Sequence, residues 1–192
     1  MGGSDAKSCN AELSRLLATL SYREGSFRLA SGKASDFYID VKKTVYSAPG
    51  ALLIGRLICD RLAAGSIDLV GGMAIGAIPL VDAALNEAAR RGLSLDGFFV
   101  RNDVKDHGTA ARIDGRFDPT RRIALVEDVV TTGESTLRAI DAVEAAGGRV
   151  LEVIAVVDRE EDDGLATIAR RRVDRVFALA TKTSVRHASA RT

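Results

Sequence analysis

Apolar residues at Leu13, Leu16, Leu17 and Leu20 recur at helical spacing and predict an amphipathic helix with one buried face. A second helical run covers residues 51–62. A third covers residues 80–90, with Pro79 in the first-turn position, where a missing N–H is tolerated. A fourth begins at Thr136 and runs to Val143. Between these lie short apolar segments at residues 67–70, 97–101, 123–126, 150–159 and 173–180. They carry few alternating polar positions, as expected of strands buried on both faces. Strands alternating with helical patterns predict an α/β fold, a central and mostly parallel sheet flanked by helices. Residues 27–40 read separately, as two short strands about a Ser31-Gly32-Lys33 turn.

Residues 102–118 break the pattern. They show neither helical nor alternating periodicity at a place where a parallel sheet normally needs a crossover helix. Long structureless loops inside compact domains are usually functional. Arg101, Lys105, His107 and Arg112, set among Asp106, Gly108 and Gly115, suit a mobile lid that closes over a polyanion. By composition alone a solvated charged loop is the better reading; the missing crossover helix and the anion seat that follows the strand at 123–126 turn it to a lid.

The densest chemistry follows the strand at 123–126. Glu127 and Asp128 are expected where that strand ends, the position at which open α/β sheets bind ligands. Val129 and Val130 lead into Thr131, Thr132, Gly133, Glu134 and Ser135, which offer hydroxyls and backbone N–H groups at a helix N-terminus. Unpaired donors and the helix dipole favour an anion there. Two carboxylates beside a phosphate would repel it unless the ligand also carries hydroxyls or a metal ion lies between, and a ribose 5-phosphate meets both conditions. The turn at residues 71–79 holds Gly71, Gly72 and Gly76 but is neither a Walker loop nor a dinucleotide fingerprint. It reads equally as close packing or as backbone approach to a ligand. Arg159 ends the strand at 150–159, and a guanidinium there suits a carboxylate; a surface Arg in the acidic stretch 160–163 is the plainer alternative.

Composition sets limits. At 192 residues and 46% hydrophobic, the chain suits one domain, 1–192, with a substantial core and flexible ends at 1–10 and 182–192. The last segment reads as a basic polar tail. A net charge of +1 gives no reason to expect nucleic acid or a membrane surface as partner. Cys9 and Cys59 form neither metal spacing nor a disulfide framework. Without an apolar run of membrane length or a secretory leader, the expected location is cytoplasmic.

Residues 123–135 resemble, without a break, the phosphoribosyl pyrophosphate (PRPP) signature of type I phosphoribosyltransferases. The segment from Phe27 through Ser31, Gly32, Ser35, Phe37, Tyr38, Ile39 and Asp40 is similar to the N-terminal hood of the orotate phosphoribosyltransferases. Arg101 followed by Lys105-Asp106-His107-Gly108 is similar to their lid. The resemblance implies that Arg101, Lys105, His107, Glu127, Asp128 and residues 129–135 bind PRPP, with Lys105, His107 and Asp128 catalytic. It further implies that Thr131, Arg159, Tyr38 and Ile39 meet orotate. Mg²⁺ would be held through PRPP near Glu127 and Asp128, with no direct protein ligand assigned, in a homodimer whose lid reaches the neighbour's site. The implied reaction gives orotidine 5′-phosphate and pyrophosphate, a step of pyrimidine biosynthesis. Three positions depart from the family pattern: Ala30 and Asn102 stand where many members have Lys, and the glycine turn has no Lys. A phosphoribosyltransferase for another base, or a non-catalytic PRPP-binding regulator, stays open.

Overall fold

In the computed structural model, which describes residues 3–28, 34–102 and 112–191, the apolar segments become neighbouring strands of one six-stranded sheet. In chain order the elements are α1 (Gly3–Leu20), β1 (Tyr22–Arg28), β2 (Ala34–Ile39), α2 (Lys42–Val45), α3 (Ala48–Ala64), β3 (Leu69–Gly71), α4 (Ile78–Arg90), β4 (Asp96–Val100), β5 (Ile113–Gly115), β6 (Ile123–Val130), α5 (Glu134–Ala145), β7 (Val150–Asp158), α6 (Gly164–Ala169), β8 (Arg175–Thr181) and α7 (Lys182–Ser189). The sheet order is β5-β4-β3-β6-β7-β8. All neighbours are parallel except β5, which runs antiparallel to β4 at one edge.

Burial on both faces explains the near-continuous apolar strands. Along β6, Ile123 and Leu125 pack with Phe98, Ile140, Val143 and Ile168 on the α5 side. Ala124 and Val126 face the opposite way and join Leu13, Leu17, Ile54, Ile58, Leu80 and Val185. This period-2 alternation makes one strand the common wall of two cores. From β3 the chain passes through α4 to β4 on one side, whereas β6 lies on the other. The strand order therefore reverses between β3 and β6, and a crevice opens at their carboxyl ends. Outside this sheet, β1 and β2 pair antiparallel, with Tyr22 opposite Ile39 and Arg23 opposite Tyr38. The Ser31-Gly32-Lys33 turn lies outside the described residues.

Three expectations need correction. The strand carrying the acid pair does not stop at Val126: it continues through Val130, with Glu127 paired to Ala155 and Val130 to Asp158 of β7. Neighbouring strands satisfy the backbone here, so polar side chains do not end the strand. Part of the supposedly structureless 102–118 segment is β5, too short for a period-2 signal, which pairs Ile113 with Val100. The expected basic tail is helix α7. Its Thr181/Ser184 capping box and the buried Val185 and Ala188 dock it on α1, where Ser14 Oγ and Ser184 Oγ lie 2.9 Å apart. At the other end, the described backbone is helical from Gly3, the start of α1. Among the described residues, no helix is long and apolar enough to cross a membrane.

Candidate active site

The acid pair sits in the crevice, but its members have different surroundings. Glu127 is 6% exposed and accepts a hydrogen bond from Thr136 Oγ1 at 2.9 Å. Burial first, and the neighbouring Asp128 carboxyl second, push the Glu127 pKa up to about 8, against the opposing pull of the Thr136 bond. Asp128 is half-buried; its Oδ1 accepts from the Val129 N–H at 2.9 Å and its Oδ2 lies 3.5 Å from Lys42 Nζ. Lys42 is also 2.9 Å from Asp40 Oδ1. Burial works against the Lys42 charge, but the two carboxylates outweigh it and raise the ammonium pKa.

Across the crevice, the turn after β3 comes directly against this pair. A Cβ on Gly76 would sit 2.8 Å from the Asp128 carboxyl carbon, so only glycine leaves room for the carboxylate. Of the turn's glycines, Gly76 packs on the acid pair, while Gly71 packs on Phe98 and Gly72 on the Val126 carbonyl and Ala77. Asn102 Nδ2 donates to the Ala74 carbonyl at 3.1 Å, tying the end of the β4 segment to the same turn.

Beyond β6 the chain forms a cradle. A cavity of about 170 Å³ is lined by Glu127 and residues 129–136. Gly133 caps α5 with φ +81°, a left-handed conformation that turns the loop into the helix without a Cβ penalty. The first turn of α5, residues 134–136, lines this space, and a helix N-terminus favours a phosphate. Gly164 at the start of α6 supports the loop from behind; a Cβ there would lie 2.3 Å from the Thr131 carbonyl.

Arg159 lies beside the cradle, because its backbone N–H donates to the Val130 carbonyl at 3.0 Å. Its side chain is buried: Nε is 3.0 Å from Glu161 Oε2, Nη2 donates to Ser35 Oγ at 3.1 Å, and the guanidinium stacks 4.2 Å over the Phe37 ring. Strand alternation separates the two hood residues. Ile39 is in the core at 6% exposed, whereas Tyr38 points the other way at 41%. Arg101 stands at the edge of the crevice, with Nε 3.0 Å from Asp114 Oδ2. Ala30, Lys33, Lys105, Asp106 and His107 lie outside the described residues.

The structure thus brings together Glu127, Asp128, residues 129–135 and Arg159. Sequence reasoning missed Lys42, Ser35, Thr136, Glu161 and Lys182, all polar residues whose partners are distant in the chain or on another element. Only Thr136 left a trace, as a hydroxyl in the first turn of the helix that follows the acids. Among the described residues, no cluster of three or more His, Cys, Asp or Glu side chains is placed to hold a metal by itself. Two adjacent carboxylates without a third fit Mg²⁺, which takes most of its ligands from phosphates and water.

A parallel sheet with its order reversed beside an acid pair, followed by a glycine-turned anion cradle at a helix N-terminus, defines the type I phosphoribosyltransferase class. No family sequence profile matches the chain. It is, however, 38% identical to an orotate phosphoribosyltransferase of Rhodopirellula baltica over 161 residues, 79% of this chain and 83% of the relative. The solved Mycobacterium tuberculosis orotate phosphoribosyltransferase bound to Fe(III) dicitrate superposes with a TM-score of 0.80 at 32% identity, over 92% of this chain and 98% of that one. The complex of that enzyme with PRPP matches with a TM-score of 0.74 at 28% identity, over 96% and 93% of the two chains. The chain belongs to the orotate phosphoribosyltransferase family.

Proposed function

We propose that this chain, in the cytoplasm, transfers ribose 5-phosphate from PRPP to orotate. The products are orotidine 5′-phosphate and pyrophosphate, and the step belongs to pyrimidine nucleotide synthesis. The observation that carries this reading is the grouping of an acid pair, an anion cradle and a buried arginine around one crevice. The cradle of residues 129–135 takes the 5′-phosphate through backbone N–H groups and the hydroxyls of Thr131, Thr132 and Ser135. Glu127 and Asp128 take the ribose hydroxyls. Thr136 Oγ1 holds one Glu127 oxygen, leaving the other carboxylate oxygens of the pair to accept from the ribose hydroxyls. As C1′ separates from pyrophosphate the sugar becomes cationic, and Asp128 is the acid placed to favour that charge.

The base side rests on Arg159 and Thr131, with the hood strand β2 covering the flat ring. Arg101, Lys105 and His107 stabilise the charge gathering on the departing pyrophosphate, and His107 supplies a proton to it. Glu127 and Asp128 would lie beside a Mg²⁺ bound mainly through PRPP, and the ion would supply neutralisation of pyrophosphate charge. A homodimer, in which the lid residues Lys105 and His107 of one subunit serve the other's site, completes the proposal.

Loss of orotate absorbance in the presence of purified protein, PRPP and Mg²⁺ tests the reading, with adenine and hypoxanthine as competing acceptors. Turnover with orotate alone is expected. Turnover restricted to a purine, or binding of PRPP without any turnover, overturns it.

A further inference from the structure

Two cations meet on one aromatic ring beside the cradle. The Arg159 guanidinium lies 4.2 Å and the Lys182 ammonium 4.7 Å from the centroid of Phe37, a residue only 1% exposed. Like charges held this close in a partly dehydrated place repel strongly unless an anion lies between them. The chain supplies that anion. One oxygen of Glu161 is 3.0 Å from Arg159 Nε, and the other is 3.3 Å from Lys182 Nζ. A single carboxylate bridging two cations that both contact one aromatic ring is the geometry of a filled carboxylate site.

Lys182 is also oddly placed as a structural residue. It is the first residue of α7, where the positive end of the helix dipole disfavours a cation; the first turn itself carries no acid, and Glu160 from outside the helix accepts from the Thr183 N–H at 2.7 Å. Its position is explained by its partners, the Glu161 carboxylate and the Phe37 ring. Glu161 sits in a segment in which Glu160, Asp162 and Asp163 have φ of 55°, 53° and 49°. Left-handed conformations at non-glycine residues cost energy, so this segment is held in place by its partners and has no strong intrinsic preference for its present shape.

We infer that Lys182 is a second acceptor-binding cation, paired with Arg159 over Phe37, and that Glu161 is an internal carboxylate displaced by the carboxylate of the incoming acceptor. This rests on the reading that Arg159 meets the acceptor. An acceptor with a carboxylate replaces both ion pairs that Glu161 gives up. A neutral pyrimidine such as uracil replaces neither, so the exchange discriminates between them.

Steady-state kinetics and calorimetric orotate binding in three variants test the assignment. Lys182→Met is expected to raise the orotate KM and Kd about tenfold, the scale of one lost charge-assisted bond, while the PRPP KM stays unchanged. Lys182→Arg restores most of the loss. Glu161→Gln, nearly isosteric, lowers the orotate KM several-fold because the competing charge is gone. If Glu161→Gln raises the orotate KM or leaves it unchanged, Glu161 only props Arg159 and the inference fails. It fails equally if Lys182→Met changes the orotate and PRPP constants together. Wild-type protein that neither binds nor turns over orotate removes the acceptor assignment itself, an outcome distinct from normal wild-type turnover with unresponsive variants.

Discussion

Glu127 is a carboxyl group in a place where a negative charge is costly, with apolar strand around it and a second acid as its immediate neighbour. Its ordinary pKa of 4.5 rises to about 8 in the folded chain. Between those values the native state holds a proton that the unfolded state has lost, so the ligand-free protein loses stability as pH rises through the window. The slope from this group is at most about 1.4 kcal/mol per pH unit. Glu127→Gln should flatten the curve and gain on the wild type towards pH 8 in urea denaturation. Parallel curves for the two proteins would mean that the carboxyl is already ionised. Gly76 makes the complementary point. A methyl group there meets the Asp128 carboxylate, so Gly76→Ala is expected to raise the PRPP KM by an order of magnitude or more while leaving the unfolding midpoint close to the wild-type value. An equal loss of stability would show that the turn matters for packing and not for the acid pair.

Among the elements, the parallel strands and the longer helices were legible because each carries its own periodic signal over enough residues. β6 shows the limit of that reading. Its register with β7 extends it past the acids, and pairing with a neighbour leaves no mark in the strand's own sequence. β5, α2 and α6 are too short to show a period. For α7 the misleading cue was polarity, because only Val185 and Ala188 of this segment are buried, against α1 and the sheet. Its stability therefore depends on its cap, and Thr181→Ala should cost about 1 kcal/mol in chemical denaturation, the usual value of an N-cap hydroxyl. The cradle depends on a different local device. Gly133→Ala places a Cβ in a left-handed residue and 3.0 Å from both the Gly164 carbonyl and Ile168. A cost of roughly 1–2 kcal/mol is expected, together with weaker PRPP binding.

For the whole molecule, ligand binding should report on every layer at once, because the crevice joins β3, β6, the start of α5 and the hood strand. PRPP with Mg²⁺ at about a hundred times its Kd should add about 2.7 kcal/mol of stability, which raises the thermal midpoint by roughly 5–10 °C. No shift at saturating PRPP would remove the cradle from the proposed site. The sequence by itself determined the α/β class, the cradle and the acid pair, since strand periodicity, the turn glycine and the helix start are properties of contiguous residues. Resemblance then extended that reading to the lid and the acceptor. Only the tertiary structure decided that Asp128 is paired with Lys42 while Glu127 is buried on Thr136, that Gly76 makes room for Asp128, and that Arg159 and Lys182 share Phe37 through Glu161. Those relations join residues tens of positions apart or on different elements. Charge state, burial and partnership depend on what the fold brings within a few ångströms, and no local pattern carries that information.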